Sequence, residues 1–138
     1  MLVEGHGLPI SVEIAGANRH DIILIEATLR NIVVARPAPS KTQPQHLCLD
    51  KGYDSAKVRE LLEELGYTAH IRARNEEAAD LQLIPGYRAR RWKVERTHSW
   101  LNRFRRILIR WEKKASNYVG LLHFACALIV FRTLGFFG

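Results

Sequence analysis

A strand-sized apolar run followed by a helix-patterned segment constrains the fold of this chain more than any other feature. The run at residues 46–49 ends on Asp50 and is followed by a turn that contains a glycine. Apolar residues then recur at helical spacing across residues 55–65, and Gly66 marks the end of that helix. Residues 67–73 have the pattern of another strand. This alternation predicts an α/β layered domain with a mixed sheet and flanking helices.

The rest of the chain extends this order on both sides. Residues 5–7 have turn chemistry, and with the alternating segment 8–14 they predict a hairpin whose first strand, Leu2 and Val3, looks truncated. The other predicted elements are a helix at 21–33 with Asp21 as its N-cap, a proline-containing loop at 36–45, a long helix at 88–112 and a last helix at 118–133 capped by Ser116 or Asn117. At 138 residues, the chain is expected to be one domain, 1–138, with no complete second domain.

The charge balance indicates a polyanionic partner. The chain has 21 Lys and Arg against 14 Asp and Glu, for a formal net charge of +7. Nucleic acid is the usual partner of so basic a domain, and a basic solvated surface is the alternative. Clustering of the cations within residues 88–114 favours the DNA interpretation. The residues predicted to contact DNA are Arg88, Arg90, Lys93, Arg96, Arg105, Arg106 and Arg110.

Apolar patterning leads to several predictions about burial and location. Cys48 and Cys126 lie in apolar runs, which favours buried free thiols in a reducing cytoplasm. The N-terminal residues lack the pattern of a signal peptide, so a cytoplasmic, nucleoid-associated protein is expected. The longest apolar stretch, 121–131, is shorter than the ~20 residues that span a bilayer, which predicts a buried helix with His123 as a hydrogen-bonded core residue. Packing rather than base stacking is predicted for Trp92, Trp100 and Trp111.

Two carboxylates are candidates for chemistry. Asp50 directly follows a predicted strand, the position at which open α/β sheets bind ligands, and a carboxylate there can hold Mg²⁺. Capping of the glycine turn is the alternative for Asp50. Glu95 shares a predicted helix face with Arg91, His98 and Asn102, and a surface ion pair with Arg91 is the alternative there. Spacing alone leaves both alternatives open.

Motifs along the chain resemble one protein family. Residues 49–54, Leu-Asp-Lys-Gly-Tyr-Asp, look like the second-carboxylate motif of the DDE insertion-sequence transposases. Residues 91–106, from Arg91 to Arg106 with Glu95 between them, are similar to the helix that carries the third carboxylate of that family. Residues 5–9 and 16–21 resemble its early hairpin and helix start. The resemblance therefore follows almost the whole chain in order.

This resemblance implies a fold, a reaction and a cofactor. The implied fold is ribonuclease-H-like, and the implied activity is metal-dependent DNA strand cleavage and strand transfer in DNA transposition. Asp50 and Glu95 would be two members of a catalytic triad that binds a divalent metal, normally Mg²⁺. The supporting residues that would orient Glu95 or contact phosphate are Arg91, His98, Asn102 and Arg103. Double-stranded DNA, at element ends and target, would be the partner, together with a second copy of the chain or an upstream-encoded N-terminal portion.

One catalytic carboxylate of the resembled family has no counterpart here. The family's first Asp lies on a strand upstream of the hairpin, so a truncated catalytic domain that is inactive alone is expected. Glu4 lies on the wrong strand, and Asp21 and Asp54 are better explained as helix caps. A degenerate remnant, a separately framed upstream half and a late start codon remain open as explanations. The alternative functions are a non-catalytic basic DNA-binding or interaction module and a ribonuclease-H-like nuclease of another kind.

Overall fold

A computed structural model describes residues 1–16, 18–40, 42–71 and 92–135 of the chain, which forms two compact units. The first unit comprises Met1–Gly16, Ala27–Val33 and Lys93–Gly138, and the second comprises Ala17–Glu26 and Val34–Trp92. In chain order the elements are β1 (Leu2–Val3), β2 (Pro9–Ser11), a 3₁₀ turn (Asp21–Leu24), α1 (Ile25–Arg30), β3 (Gln45–Leu49), a 3₁₀ turn (Lys51–Tyr53), α2 (Ala56–Glu64), β4 (Tyr67–Ile71), α3 (Trp92–Leu101), α4 (Arg105–Leu108) and α5 (Ala115–Thr133).

The second unit is built on two parallel strands joined by a helix. β3 pairs with β4 in register from Gln45 opposite Tyr67 to Leu49 opposite Ile71. Parallel strands require a crossover connection, which α2 provides, and α2 contacts β4. Leu47 of β3 is buried, as are the α2 residues Val58 and Leu62, the last of which is 0% exposed. The strand–helix–strand prediction from the sequence is therefore confirmed.

Local side-chain chemistry sets both ends of α2. At its start, the Ser55 hydroxyl accepts a hydrogen bond from the Val58 N–H at 3.3 Å. At its end, Gly66 has a φ of +77°, a conformation that favours glycine, and a Cβ there would lie 3.1 Å from the Cβ of Pro39. Gly66 therefore ends the helix as the sequence predicted, while Ser55, and not Asp54, is its N-cap.

The first unit packs a hairpin and three helices around a small core. β1 and β2 are antiparallel, and the turn between them contains Gly7. The buried core residues are Leu101, Leu122, Ala125, Cys126 and Ile129. Partly buried residues of the hairpin and of the α3–α4 segment pack against this core, among them Leu8, Val12, Trp100, Phe104 and Ile107.

The long helix predicted at 88–112 is wrong within the described residues. α3 ends at Leu101, and a turn closed by Phe104 N–H donating to the Leu101 carbonyl at 2.9 Å leads into the short α4. Phe104 and Ile107, which follow this break, both pack against the α5 core. Tertiary packing has overridden the helix-forming tendency of this arginine-rich segment.

The burial predictions for individual residues are only partly correct. Cys126 is buried, and its burial raises the pKa of the thiol, but Cys48 is exposed. Successive residues of a strand point to opposite faces, so Leu47 is buried while His46 and Cys48 face away. His123 is exposed, which contradicts the predicted core histidine.

α5 buries one stripe only. Its buried residues, Leu122, Ala125, Cys126 and Ile129, follow i, i+3, i+4, i+7 spacing, whereas Phe124 and Phe131 remain 63% and 47% exposed. The helix begins at Ala115 after Lys114 and has no side-chain cap, so the predicted caps at Ser116 and Asn117 are wrong. At 19 residues α5 is also long and apolar enough to cross a membrane by length and composition, a criterion that core helices of soluble proteins meet as well.

The sheet arrangement differs from the predicted mixed sheet. In the described ranges the strands form two separate two-stranded sheets, one antiparallel and one parallel. The predicted strand at 8–14 is shorter, at Pro9–Ser11, and the predicted helix at 21–33 divides into a 3₁₀ turn and α1. The α/β class is correct, and the ribonuclease-H-like topology stays a prediction.

Candidate functional site

Asp50 lies where the sequence predicted it, at the carboxyl end of a parallel strand. It is exposed, and its Oδ1 accepts a hydrogen bond from the Gly52 N–H at 3.0 Å, so it caps the 3₁₀ turn that follows β3. The capping interpretation is therefore correct for one oxygen. The exposed carboxylate retains a second oxygen, so capping and metal binding are compatible at Asp50.

Asp54 has a different role from Asp50. Its Oδ1 accepts from Arg59 Nε at 2.9 Å and Nη2 at 2.6 Å, and Lys51 pairs with Oδ2. Hydrogen bonds from Lys51 and Arg59 lower the pKa of the Asp54 carboxyl against a smaller effect of desolvation. Both oxygens of Asp54 are thus engaged by local cations, which leaves Asp50 as the better ligand of the two.

Glu95 is exposed on α3, and its helix is tied to the hairpin turn by the side chains around it. Lys93 Nζ donates to the Gly5 carbonyl, Arg96 Nη2 donates to the His6 carbonyl, and Thr97 Oγ1 donates to the Gly7 carbonyl. These six residues, three from the turn and three from α3, are called the turn clamp below. The clamp holds the side of α3 that faces the hairpin, where Thr97 is fully buried. Glu95 lies on the solvent-exposed side of the same helix.

Gly7 is the residue that permits this close approach. Its φ is +84°, and a Cβ at this position would lie 2.9 Å from Arg96 Nη2 and 3.2 Å from the Lys93 carbonyl oxygen. Gly5 in the same turn has no heavy atom within 4 Å of an added Cβ. The turn clamp therefore depends on glycine at position 7 and not at position 5.

Glu4 stabilises the same turn from its other side. Its Oε1 accepts from the His6 N–H at 2.7 Å and the Leu8 N–H at 3.0 Å, and Oε2 lies 3.0 Å from His6 Nδ1. Desolvation acts to raise the pKa of Glu4, but the hydrogen bonds from Leu8 and His6 outweigh it, and the pKa is lowered overall. Glu4 is thus committed to the hairpin.

The predicted supporting residues are partly brought together. His98 follows Glu95 on α3, and desolvation, with a smaller contribution from the positive N-terminus, lowers the pKa of its ring although the residue is exposed overall. Asn102 and Arg103 are exposed in the turn after α3, where the Asn102 N–H still donates to the His98 carbonyl at 2.9 Å. Arg91 lies outside the described residues.

The predicted DNA-contacting residues divide into engaged and exposed cations. Lys93 and Arg96 belong to the turn clamp, and the Arg96 guanidinium lies 4.9 Å from the centre of the Trp100 ring. Arg106 pairs with Glu112 at 2.8 Å. Arg105 and Arg110 are exposed, while Arg88 and Arg90 lie outside the described residues.

Sequence reasoning missed the turn clamp altogether. Its members are about ninety positions apart, as in the pair Thr97 and Gly7, and no local pattern joins them. A polar Thr97 on the apolar side of the predicted helix was the available signal, since a buried hydroxyl needs a hydrogen-bond partner. The prediction that Trp111 is packed is also wrong, because this tryptophan is 70% exposed.

Among the described residues, no group of three or more His, Cys, Asp or Glu side chains is arranged to hold a metal ion. Asp50 belongs to the second unit and Glu95 to the first.

Comparison with known proteins points to one family. Residues 1–130 match the family model described as Transposase DDE domain. A protein of Burkholderia cepacia named as a transposase for insertion sequence element IS402 is 34% identical, over 97% of this chain and 62% of that protein. The chain therefore spans less than two thirds of that relative's length. No solved structure matches this chain.

Proposed function

Because the chain belongs to the transposase DDE domain family, we propose that it supplies part of a catalytic core for DNA transposition. The reaction is metal-dependent cleavage of a DNA strand and transfer of its end to a target. Asp50 and Glu95 are the proposed catalytic and metal-binding carboxylates. The observation that carries this proposal is the exposure of Glu95 on a helix whose opposite side is held by the turn clamp.

A fixed helix suits a metal ligand. Metal-binding side chains must be held close to their productive geometry, and ligands on anchored helices meet this need better than ligands on loops. The exposed residues His98, Asn102 and Arg103 follow Glu95 along the same segment and are the proposed phosphate contacts. Arg91, four positions before Glu95 in the sequence, is the proposed orienting cation.

Asp50 and Glu95 fit a hard divalent cation by their donor chemistry. Both are exposed carboxylates, and Mg²⁺ prefers oxygen ligands supplemented by water and phosphate. When bound, the metal would activate water or a DNA 3′-hydroxyl and stabilise the leaving oxygen. Two carboxylates are fewer ligands than the family's triad, so we expect strand cleavage by this chain alone to be weak or absent.

The proposed partner is double-stranded DNA at element ends and target sites, in the cytoplasm. The net charge of +7 supports binding to a polyanion. A second copy of the chain or an upstream-encoded portion is the proposed source of the remaining catalytic groups. A non-catalytic DNA-binding module stays the competing function, since the exposed cations of residues 103–114 would serve it equally well.

Paramagnetic broadening by Mn²⁺ tests the carboxylate pair without requiring activity. Mn²⁺ occupies the oxygen-ligand sites that Mg²⁺ prefers and broadens the amide resonances of nearby residues. We expect the first broadened amides to be those beside Asp50 and Glu95. Asp50→Asn and Glu95→Gln should each abolish the effect at the altered site, whereas Glu60→Gln, at an exposed position on α2, should change nothing.

Persistence of the same broadening in both variants would contradict the proposal. Measurement of DNA affinity distinguishes the competing function, a non-catalytic DNA-binding module. Such a module has no metal-dependent property to lose in these variants. It would bind DNA equally well or more tightly after removal of a negative charge near phosphate.

A further inference from the structure

An exposed tryptophan stands in the segment that joins α4 to α5. Trp111 is 70% exposed, and the neighbouring apolar residues Leu108 and Ile109 are 59% and 53% exposed. The other two tryptophans are more covered, with Trp92 at 45% and Trp100 partly buried against the core. Exposure of a large indole beside two further apolar side chains costs hydrophobic free energy, so it is informative about binding.

The exposed charged side chains of the segment around Trp111 are positive. The exposed cations of the segment are Arg103, Arg105, Arg106, Arg110, Lys113 and Lys114. Its one acid, Glu112, has a side chain that is only 7% exposed and is paired with Arg106 at 2.8 Å. The Glu112 carboxylate is thus turned inward, and the exposed charges within residues 103–114 are all positive. We call residues 103–114 the basic tryptophan surface.

Part of this surface is held in place by packing. The Arg110 guanidinium lies 5.3 Å from the centre of the Tyr118 ring, and the Tyr118 hydroxyl donates to the Ile107 carbonyl at 3.3 Å. Tyr118 itself packs against the α5 core. The cation next to Trp111 is therefore ordered relative to the core before any ligand binds, which reduces the entropy lost on binding.

We propose that the basic tryptophan surface binds single-stranded DNA, with an unpaired base stacked on Trp111 and the neighbouring phosphates on Arg110, Lys113 and Lys114. Cations that follow the backbone, combined with an aromatic ring on which a base stacks, are the features that single-strand binding requires. In a duplex the faces of the bases are covered by their neighbours, so an exposed indole gains little from paired DNA. The site therefore prefers a frayed or unpaired end to a continuous duplex.

This proposal rests on the proposed function only for the identity of the polyanion. It deepens that function, because cleavage and transfer of one strand both produce DNA ends with unpaired bases. Binding needs no divalent metal, so it can be measured in the presence of a chelator. A failure of the Asp50 and Glu95 proposal would then leave the measurement unaffected.

Fluorescence anisotropy with two DNA probes tests the proposal on the full chain. The probes are a blunt duplex and the same duplex with a single-stranded extension, each titrated with protein in chelator at several salt concentrations. The chain should bind the extended probe more tightly. Trp111→Leu should remove most of this preference, a loss of about 5- to 150-fold for the extended probe, which corresponds to the ~1–3 kcal/mol of one stacked base.

Three further variants make the result specific. Trp111→Phe should retain much of the preference, because a phenyl ring also stacks. Phe124→Leu removes an aromatic ring of similar exposure on α5 and should change the affinity for neither probe. The double variant Lys113→Gln/Lys114→Gln should weaken the binding of both probes similarly and reduce the salt dependence of binding.

Two outcomes would overturn the proposal. Equal binding of the blunt and extended probes by the unaltered chain would exclude a single-strand preference. A preference that survives in Trp111→Leu would place the single-strand contact elsewhere, and the exposed indole would then have to serve another partner. Binding to anionic lipid vesicles that depends on Trp111, without a matching effect on DNA, would assign the surface to a membrane instead.

Discussion

Replacement of Gly7 by alanine tests whether the turn clamp holds α3 in place. The new Cβ would adopt a φ of +84° and would lie 2.9 Å from Arg96 Nη2 and 3.2 Å from the Lys93 carbonyl oxygen. A contact below 3.0 Å forces a shift of the Arg96 side chain, and that shift breaks its hydrogen bond to the His6 carbonyl. The substitution therefore strains the backbone at position 7 and disturbs one hydrogen bond of the turn clamp.

The magnitude follows from three contributions. A left-handed backbone costs a non-glycine residue ~1–2 kcal/mol, and a lost hydrogen bond costs ~0.5–1.5 kcal/mol. Alanine also restricts the unfolded chain, which offsets ~0.4–1 kcal/mol where the native conformation suits it. We expect Gly7→Ala to lower the free energy of unfolding of the first unit by about 0.5–3 kcal/mol.

Equilibrium urea denaturation followed by near-ultraviolet circular dichroism measures this effect. Trp100 lies in α3 beneath the Arg96 guanidinium and packs against the core, so its signal reports on the region that the clamp holds. Gly5→Ala is the matched control, because an added Cβ at Gly5 meets no heavy atom within 4 Å. The control should change stability by less than ~0.5 kcal/mol.

Equal stability of the Gly7 and Gly5 variants would refute the argument. A second variant, Thr97→Val, removes the hydroxyl that donates to the Gly7 carbonyl while keeping the shape of the side chain. It should cost ~1–3 kcal/mol, because it leaves a buried carbonyl without its partner. Non-additivity of the Gly7→Ala and Thr97→Val effects is expected, since both act on the same contact.

Two further predictions concern titration and thiol chemistry. The pKa of Glu4 is lower in the folded chain than in the unfolded one, so its stabilisation is fully present above the unfolded-state value of ~4.3 and is lost as the pH falls through the folded value. Glu4→Gln should therefore remove this acid dependence from the urea midpoint of the first unit, and an unchanged pH profile would contradict the assignment. Iodoacetamide labelling followed by mass spectrometry should modify Cys48 much faster than Cys126, because Cys126 is buried and the pKa of its thiol is raised. The two should label at similar rates in denaturant, and similar rates in the folded chain would show that the core of the first unit does not cover Cys126.

The elements that the sequence predicted best are those with local causes. Helix α2 follows from its apolar spacing, the Ser55 cap and the glycine at position 66, all of which act within one or two turns. The position of Asp50 at the end of β3 follows from the strand pattern in the same way. The assignment to the DDE family rests likewise on residue patterns along the chain, and the match to residues 1–130 confirms it.

The errors concern properties that depend on what covers a residue. Cys48, His123 and Trp111 each lie in a segment with apolar neighbours, yet all three are exposed. Burial of a side chain depends on which face of its strand or helix meets another element, and composition does not contain that information. The break after Leu101 was missed for a related reason. A continuous helix would also place Phe104 on the Leu101 face, so the apolar spacing does not reveal the turn.

Sequence alone thus determined the α/β class, the family, the candidate carboxylates Asp50 and Glu95, and the basic character of the chain, because motifs, spacing and charge are carried by neighbouring residues. Tertiary structure decided how the Glu95 helix is anchored, since the turn clamp joins Gly7 to Thr97 across about ninety positions. It also decided which charges face outward, because the Glu112 carboxylate is only 7% exposed and pairs in space with Arg106. Contacts between distant residues depend on how the whole chain folds, and no local pattern encodes them.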